Sequence, residues 1–542
     1  MHVPIAASAI GGRRRSLALI AILAFTSTCA ITSAAADGIS DAERSATAGV
    51  NGEAIRKVTT DLSAPAMEGR GTAQAGGDRA AKYIAGLFLA HGIKPLGNDG
   101  TFFQPVRFHS VEVLPESRLS VRTLALLPGK DFAVAVLPPR HSFDLTGAIV
   151  FATFGVVSPE LKRDDFANLD LQGKVAMIIT GRPKNVDEGA WKKSGGVQAA
   201  VSALGSRGAA AVLVVADSGS YDSIADRYGR RRVELADTNH PSGPPVLYLN
   251  PGAVAQILEG SGTSLGSLRE RAETGEPASR ELGLQMAVSL RVDGADGTSN
   301  NVAGVIRGSD PKLNAEAVVF TAHYDAYGVA RDGRIYPGAA DNALGVGEMI
   351  AVAGAVAHSG ATPRRTLIFL AVTGEEYGML GSRHWVEHPS WPLAKIAANI
   401  NFDGVGTEIY GKVKQVAGFG GEYSDLGEVL REVAGATGTE AIPDPVPDQG
   451  IFYRSDHYSF AKKGIPPINI LGGPGGDTKV WLARVFEWVE TSYHQPGDVI
   501  GSDWDWDGPR TVAVIGLLIG LRVANGDRMP NWLPSAPFKR EK

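Results

Sequence analysis

The sequence predicts an α/β protein built on a mostly parallel sheet, and two observations support this fold class. Three short apolar runs, at residues 317–322, 366–372 and 396–402, have the length and continuous hydrophobicity of strands buried on both faces. Histidine or acidic residues follow each run within a few positions. Because ligands of open α/β sheets bind outside the carboxyl ends of strands, these endings predict a functional site at one edge of the sheet.

Length and composition limit the class of protein. A chain of 542 residues is too long for one ordinary core, so we expect two or more domains. Its 44% hydrophobic and 20% charged residues are typical of a soluble globular protein. A net charge of -5 favours neither nucleic acid nor an anionic membrane surface as a partner. The apolar run at 512–523 is too short to cross a bilayer, which needs about 20 residues, and predicts a C-terminal packing helix.

The first 36 residues have the pattern of a signal peptide. Three arginines at 13–15, an apolar core at 17–25 and three alanines at 34–36 predict cleavage before Asp37 and a secreted or periplasmic protein. A membrane anchor is disfavoured by the short apolar run, twin-arginine export matches only in part, and the residues before Cys29 do not fit a lipoprotein. Cys29 is the only cysteine, so a mature chain would have no disulfide and no thiolate ligand.

A smaller unit is predicted to interrupt the main domain at residues 126–280. Strand patterns at 143–152, 174–180 and 210–216, with a helix at 197–207, fit one small α/β unit without a convergent set of acids and histidines. Residues 37–125 and 281–530 would form the main domain. The last residues, 531–542, are expected to be a poorly ordered tail.

Five segments carry the residues with catalytic chemistry. They contain two histidines, three acids that could bind metal and one spare glutamate, in the sequences AHYD (322–325), ADN (340–342), GEE (374–376), NFD (401–403) and YHQP (493–496). Imidazole and carboxylate ligands suit two adjacent zinc ions. Two metal ions about 3.5–4 Å apart are a known hydrolytic centre.

Each candidate has a functional and a structural interpretation. His323 would bind zinc, and Asp325, two residues on, could accept the other ring N–H; the alternative is a satisfied, partly buried histidine. Asp341 would bridge both metals or else cap the helix predicted at 343–357. Asp403 is either a ligand or a turn residue before a glycine.

The remaining candidates lie on loops. Of Glu375 and Glu376, one can bind metal while the other reaches a water molecule as its base, and spacing alone does not say which is which. His494 would be a ligand, with Asp498 orienting its loop.

Together with the segments EGRGT (68–72) and RSDH (454–457), these motifs resemble metallopeptidase family twenty-eight, the secreted co-catalytic di-zinc aminopeptidases. The resemblance implies the zinc-aminopeptidase fold, with a central mixed, mostly parallel sheet flanked by helices. The middle unit, with LQGKV at 171–175, is similar to the protease-associated domain.

The resemblance also implies individual roles. His323 and Asp403 would hold one zinc, Glu376 and His494 the other, and Asp341 would bridge them. Glu375 would be the general base, and a cis peptide would follow Asp341. Tyr453 is the candidate for polarising the scissile carbonyl.

Three functions follow from these expectations. The favoured one is an exported aminopeptidase with two Zn²⁺ ions, acting on peptides with a free N-terminus. A glutamate-carboxypeptidase-like enzyme would need cations such as Arg454 and Lys479 to converge on a substrate carboxylate, whereas the arginines at 331, 334, 383 and 454 are expected to be scattered. A non-catalytic receptor-like ectodomain should bind no zinc.

Overall fold

The computed structural model describes residues 38–136, 142–237, 243–275, 278–404, 407–473 and 475–540. The predicted signal peptide at 1–36 lies outside the described residues, so its cleavage stays a prediction.

In the described part of the chain, 17 strands form two sheets that share one long strand and so make one continuous sheet, and four strands form two short antiparallel pairs. In chain order they are β1 (Lys94–Pro95), β2 (Phe103–Val113), β3 (Arg118–Val121), β4 (Leu124–Leu126), β5 (Phe132–Val136), β6 (Ser142–Phe151), β7 (Val157–Ser158), β8 (Arg163–Asp164), β9 (Val175–Ile179), β10 (Ala211–Val215), β11 (Arg232–Leu235), β12 (Val246–Leu249), β13 (Arg280–Ile306), β14 (Ala317–His323), β15 (Gly328–Val329), β16 (Ile335–Tyr336), β17 (Thr366–Val372), β18 (Ile396–Asn401), β19 (Gln415–Phe419), β20 (Glu440–Ile442) and β21 (Pro467–Gly473).

The α-helices pack on the faces of these sheets. In chain order they are α1 (Asp41–Ala48), α2 (Gly52–Ser63), α3 (Ala75–Ala90), α4 (Glu188–Lys193), α5 (Gly196–Ser206), α6 (Tyr221–Gly229), α7 (Pro251–Leu258), α8 (Leu265–Thr274), α9 (Leu344–His358), α10 (Leu380–Glu387), α11 (Leu426–Thr437), α12 (His457–Lys462), α13 (Thr478–Thr491) and α14 (Asp507–Asn525).

Four parallel strands, β17, β14, β18 and β21, form the centre of the main sheet. β13 borders β17 and β19 borders β21, both antiparallel, so the sheet is mixed as the sequence predicts. The register pairs His323 with Val372 and Thr321 with Asn401, so three strands end at nearly the same level. The segments that follow these strands therefore start from one edge of the sheet.

Helices cover both faces of the main sheet, and every residue of β14, β17 and β18 is buried. α9 and α14 pack on one face, where a Cβ added at Gly520 would lie 2.2 Å from the ring of Phe320. Trp385 and Phe460 pack on the other face. Close packing on both sides explains the continuous apolar strands of the sequence.

One helical stretch among the described residues, Ala339–His358, is long and apolar enough to cross a membrane, with a mean hydropathy of 1.2. The protein interior surrounds this stretch completely, because its apolar window is 100% buried. The stretch also contains the candidate ligand Asp341. Its apolar character therefore fits a core helix beneath the site.

The inserted unit has its own sheet and core. Strands β6, β9, β10 and β12 are parallel neighbours, and β5 joins β12 antiparallel. β13 connects the two sheets, since residues 280–291 pair with β3 and β6 while residues 292–306 pair with β2 and β17. The proposed limits at 126 and 280 stay a prediction, and this shared strand joins the unit firmly to the main domain.

The C-terminal tail packs on the main domain as far as residue 540. The Trp532 indole donates to the Gly464 carbonyl at 2.8 Å, and the Arg540 guanidinium donates to the Ile396 carbonyl at 2.8 Å. Phe538 lies 5.7 Å from the ring of Phe452. The expectation of a poorly ordered tail is wrong for residues 531–540, because its aromatic side chains complete an apolar cluster.

Candidate di-metal site

One group of possible metal ligands consists of His323, Asp341 and Asp403. His323 ends β14 and is 1% exposed, and its Nε2 lies 3.1 Å from Asp341 Oδ1 and 3.5 Å from Asp403 Oδ1. This Nε2 is buried and makes no hydrogen bond. An imidazole nitrogen aimed at two carboxylates without a hydrogen bond is the arrangement expected of a metal ligand.

A second group consists of Asp341, Glu376 and His494. His494 Nε2 lies 3.2 Å from Asp341 Oδ2 and 3.0 Å from Glu376 Oε2. Asp341 therefore presents one carboxylate oxygen to each histidine and belongs to both groups. This shared carboxylate suits a bridging ligand, the role that the resemblance implies for it.

The donor chemistry fits two zinc ions. Within each group the ligand atoms lie within 4.8 Å of one another, and all are imidazole nitrogens or carboxylate oxygens. Burial by itself would lower the pKa of His494, but the carboxylates of Glu376 and Asp341 outweigh it and raise that pKa to about 9. His323 is likewise raised well above its usual pKa against the effect of burial, with Asp403 the first contributor. Metal cations bound at His323 and His494 would take the place of the protons that these raised pKa values favour.

Glu375 and Asp325 lie beside the first group. Glu375 Oε2 is 4.0 Å from His323 Nε2, and burial raises the pKa of Glu375 well above its usual value. Asp325 accepts hydrogen bonds from Thr72 Oγ1 at 3.0 Å and from the Glu375 N–H at 3.1 Å. His323 Nδ1 is closer to the Asp325 carbonyl oxygen, at 3.2 Å, than to its carboxylate, at 3.7 Å. Asp325 thus contacts both Glu375 and His323, and its backbone oxygen is the acceptor nearer to His323 Nδ1.

Local backbone geometry positions the two glutamates and Asp341. The turn at Glu375–Tyr377 lies between Gly374 and Gly378, both with positive φ, of 72° and 102°. The Asp341–Asn342 peptide bond is cis, as the resemblance implies. Asp498 accepts from the N–H groups of Ala340 and Asp341 at 2.9 and 3.0 Å, which matches its predicted loop-orienting role.

Arg70 is a residue whose role the sequence did not reveal. It is fully buried and donates to the carbonyls of Tyr324 at 2.6 Å, Leu62 at 2.8 Å, Pro337 at 2.5 Å and Gly338 at 2.7 Å. Burial lowers its pKa to about 10, so it stays a cation at neutral pH. Arg70 therefore connects the segment after β14 to the segment before Asp341. Its place in the EGRGT motif was the available signal.

Three tyrosines differ in their relation to the site. Tyr453 has 47% of its surface exposed and packs edge-on against Phe452 at 5.2 Å, so its proposed contact with a substrate stays a prediction. Tyr493 stacks on His494 with ring centroids 3.6 Å apart. Tyr327 Oη lies 3.2 Å from His494 Nδ1. The last two contacts had no sequence signal beyond proximity to a ligand.

Asp456 adds a further buried carboxylate in the RSDH segment. It is 0% exposed, and neither carboxylate oxygen has a hydrogen-bond partner among the residues that the structure describes. Burial raises its pKa to about 7, while the charge of His323 acts in the opposite direction. The site therefore contains a further buried acidic side chain beyond the candidate ligands.

Known proteins resemble this chain in sequence over part of its length. Aminopeptidase YwaD of Bacillus subtilis (strain 168) is 30% identical over 210 residues, which cover 38% of this chain and 40% of that protein. The probable glutamate carboxypeptidase VP8 of Zea mays is 27% identical over 352 residues, 61% of this chain and 45% of that protein. The chain thus spans less than half the length of these relatives.

Solved structures share the fold over nearly the whole chain. An aminopeptidase from Aneurinibacillus sp. strain AM-1 superposes with a TM-score of 0.61 and 18% identity, covering 92% of this chain and 100% of that one. A zinc aminopeptidase from Bacillus subtilis gives a TM-score of 0.55 and 19% identity, covering 88% and 96%. At these identities the likeness establishes the fold.

The family model described as Peptidase family M28 matches residues 301–517. This segment contains every candidate metal ligand of both groups. Residues 301–517 of this chain therefore match peptidase family M28, and the relatives and the shared fold agree with this match.

Proposed function

We propose that this protein is an exported zinc-dependent aminopeptidase that removes N-terminal residues from peptides. The observation that carries the proposal is the pair of ligand groups that share Asp341, with Glu375 beside them. His323 and Asp403 would hold one zinc, Glu376 and His494 the other, and Asp341 both. When bound, the two ions would supply Lewis-acid activation of a water molecule and of the substrate carbonyl.

Glu375 is the residue of this chain best placed to move protons. Its carboxylate faces His323 Nε2 at 4.0 Å and belongs to neither ligand group, so it remains available as a base. We infer that it takes the proton of the attacking water and passes it to the leaving amine. The N–H of Glu375 is held by Asp325, which fixes the turn that carries the base.

The acidic surroundings favour a substrate ammonium group over a substrate carboxylate. Beyond the ligands and Glu375, the site contains the buried carboxylates of Asp456 and Asp498. Two zinc ions would offset the charge of the ligand carboxylates, but they would not bind these other carboxyl groups. A free α-amine could find an acidic partner here, whereas a carboxylate would meet repulsion.

A carboxypeptidase is the second candidate, because one relative is a probable glutamate carboxypeptidase. Arg230, Arg331 and Arg334 line a cavity of about 1010 Å³ that borders Tyr327, although none of the candidate ligands lines it. Each of these three arginines, however, already pairs with a carboxylate.

Arg331 binds Glu112 through two bonds of 3.0 and 3.2 Å, and Arg334 binds Asp332 at 2.7 Å. Arg230 is paired with Asp226. A substrate carboxylate would have to displace these partners, which makes the aminopeptidase the better proposal.

A substrate panel tests the proposal. Leucine and alanine amides with a chromogenic leaving group should be cleaved, their N-acetyl forms should not, and a chelator should abolish cleavage. Equal cleavage of acetylated substrates, or release of C-terminal acidic residues alone, would favour the carboxypeptidase. A purified protein without zinc would support the receptor-like alternative.

Export is tested separately. N-terminal sequencing of secreted or periplasmic material should give a chain that starts near Asp37. A retained Met1 or a lipidated Cys29 would contradict this part of the proposal.

A further inference from the structure

The inserted unit contacts the main domain beside one metal ligand. Arg230, which follows α6, has its guanidinium carbon 4.5 Å from the ring centre of Tyr327 and 4.6 Å from that of Tyr336. Its side chain is 11% exposed and is paired with Asp226 of α6. A cation held between two aromatic rings and shielded from water attracts both of them, so this contact restrains the Tyr327 ring.

Tyr327 in turn contacts His494. The ring centroids are 4.9 Å apart at 67°, and Tyr327 Oη lies 3.2 Å from His494 Nδ1. The other nitrogen, Nε2, is the one that faces Asp341 and Glu376. A partner at the distal nitrogen sets the tautomer and the orientation of a metal-binding imidazole, and here that partner is a tyrosine hydroxyl.

A second contact reaches the same loop. Gln495 Nε2 donates to Asp226 Oδ2 at 3.2 Å, so Asp226 holds both Arg230 and the residue next to His494. The backbone of His494 has a φ of 59°, in the left-handed region that non-glycine residues seldom adopt. A residue in this conformation depends on its surroundings to keep it there.

We propose that the inserted unit positions the metal ligand His494, with Arg230 acting through Tyr327 and Asp226 acting through Gln495. The inference rests on the proposed metal site, since it assigns the inserted unit to one of the two half-sites. Arg230 is a positioning residue and does not contact a metal or a substrate. Loss of such a partner typically weakens metal binding about 10–100-fold.

The test measures zinc binding by chelator competition in the full-length protein, with zinc content determined in parallel. Arg230→Met removes the cation and keeps a side chain of similar reach. We expect one of the two zinc ions to be bound about 10–100-fold more weakly, and the other to be unaffected. Arg230→Lys keeps a cation over the rings and should restore much of the affinity.

Three further variants separate positioning from general stability. Tyr327→Phe should weaken the same single zinc, and the double variant Arg230→Met with Tyr327→Phe should be no weaker than the worse single variant, because both residues act in one chain of contacts. Arg227→Met is the matched control. Arg227 lies on α6, is exposed and has its guanidinium carbon 5.7 Å from the centre of the Tyr228 ring rather than over Tyr327. Zinc binding should therefore not change in this variant.

The outcomes distinguish this inference from the proposed function. Wild-type protein that binds no zinc would contradict the proposed function itself. Two zinc ions in wild type and unchanged affinity in Arg230→Met would overturn only the inference. Equal weakening of both ions, together with a lower thermal unfolding midpoint of the metal-free protein, would show that Arg230 is structural and would also overturn it.

Discussion

Arg70 should contribute more to stability than any surface arginine, and Arg70→Met tests this. The side chain is fully buried and donates to four carbonyl oxygens, three of them in the segments that flank the candidate ligands His323 and Asp341. Hydrogen bonds from a charged group contribute about 1.5–3 kcal/mol each, and removal of one member of a buried ionic network costs about 3–5 kcal/mol. We expect a total loss of about 3–5 kcal/mol rather than the sum over four hydrogen bonds, because methionine fills part of the volume and water can reach part of the carbonyls.

The measurement is urea unfolding of the metal-free protein, followed by tryptophan fluorescence. With an m value of about 3 kcal/mol/M, a loss of about 3–5 kcal/mol shifts the midpoint down by roughly 1–1.7 M. Arg79→Met is the control, because Arg79 is 41% exposed and its main partner Glu68 is 46% exposed. Exposed pairs contribute about 0–1 kcal/mol, so the control midpoint should move by less than about 0.3 M. Equal shifts in the two variants would refute the assignment of Arg70 as the buried link between the ligand segments.

Three further predictions concern the acidic site and the core beneath it. Glu375→Gln should keep two zinc ions and lose about 10²–10⁴-fold in kcat, whereas Asp341→Ala should lose zinc as well. Metal analysis and kinetics check both variants. Zinc loss in Glu375→Gln would reverse the assignment of Glu375 as the base and Glu376 as the ligand. Chelated protein should lose stability as the pH rises from 6.5 to 9. The pKa of His494 is raised to about 9 in the folded protein, so the stabilisation from this histidine is complete only below its unfolded pKa of about 6.5 and is lost as the pH approaches 9. Thermal unfolding of the zinc-loaded protein should not show this loss. Glu348 is 2% exposed, and one of its carboxyl oxygens has no hydrogen-bond partner among the described residues. Burial first, and then the charge of Glu408, raise the pKa of Glu348 well above its usual value of 4.5, so Glu348→Gln should match wild type only below about pH 4.5 and should exceed its unfolding midpoint at pH 9.

Local sequence was sufficient to predict the central strands and the candidate ligands at their ends. The run predicted at 366–372 is the strand Thr366–Val372, and the run at 317–322 extends by one residue to include His323. The predicted helix at 343–357 is Leu344–His358. These elements are buried on all sides, so their apolar residues are continuous and the polar residues that follow them stand out.

Side-chain roles were less determined by sequence. The ligand types and their strand-end positions indicated a metal site, but spacing could not distinguish Glu375 from Glu376. In the structure Glu376 Oε2 lies 3.0 Å from His494 Nε2, whereas Glu375 Oε2 lies 4.0 Å from His323 Nε2, and this difference supports the proposed roles. Adjacent residues on a tight turn project in different directions, and that turn is not encoded by residue type alone.

The sequence by itself determined the α/β class, the central parallel strands and the set of residues that could bind metal. Only the tertiary structure decided which distant residues hold that set in place. Arg70 meets Tyr324 across 254 positions and Arg230 meets Tyr327 from another unit of the chain. Strand and helix patterns arise from burial and short-range geometry, which recur along the sequence, whereas these contacts depend on how complete elements pack and leave no periodic signal.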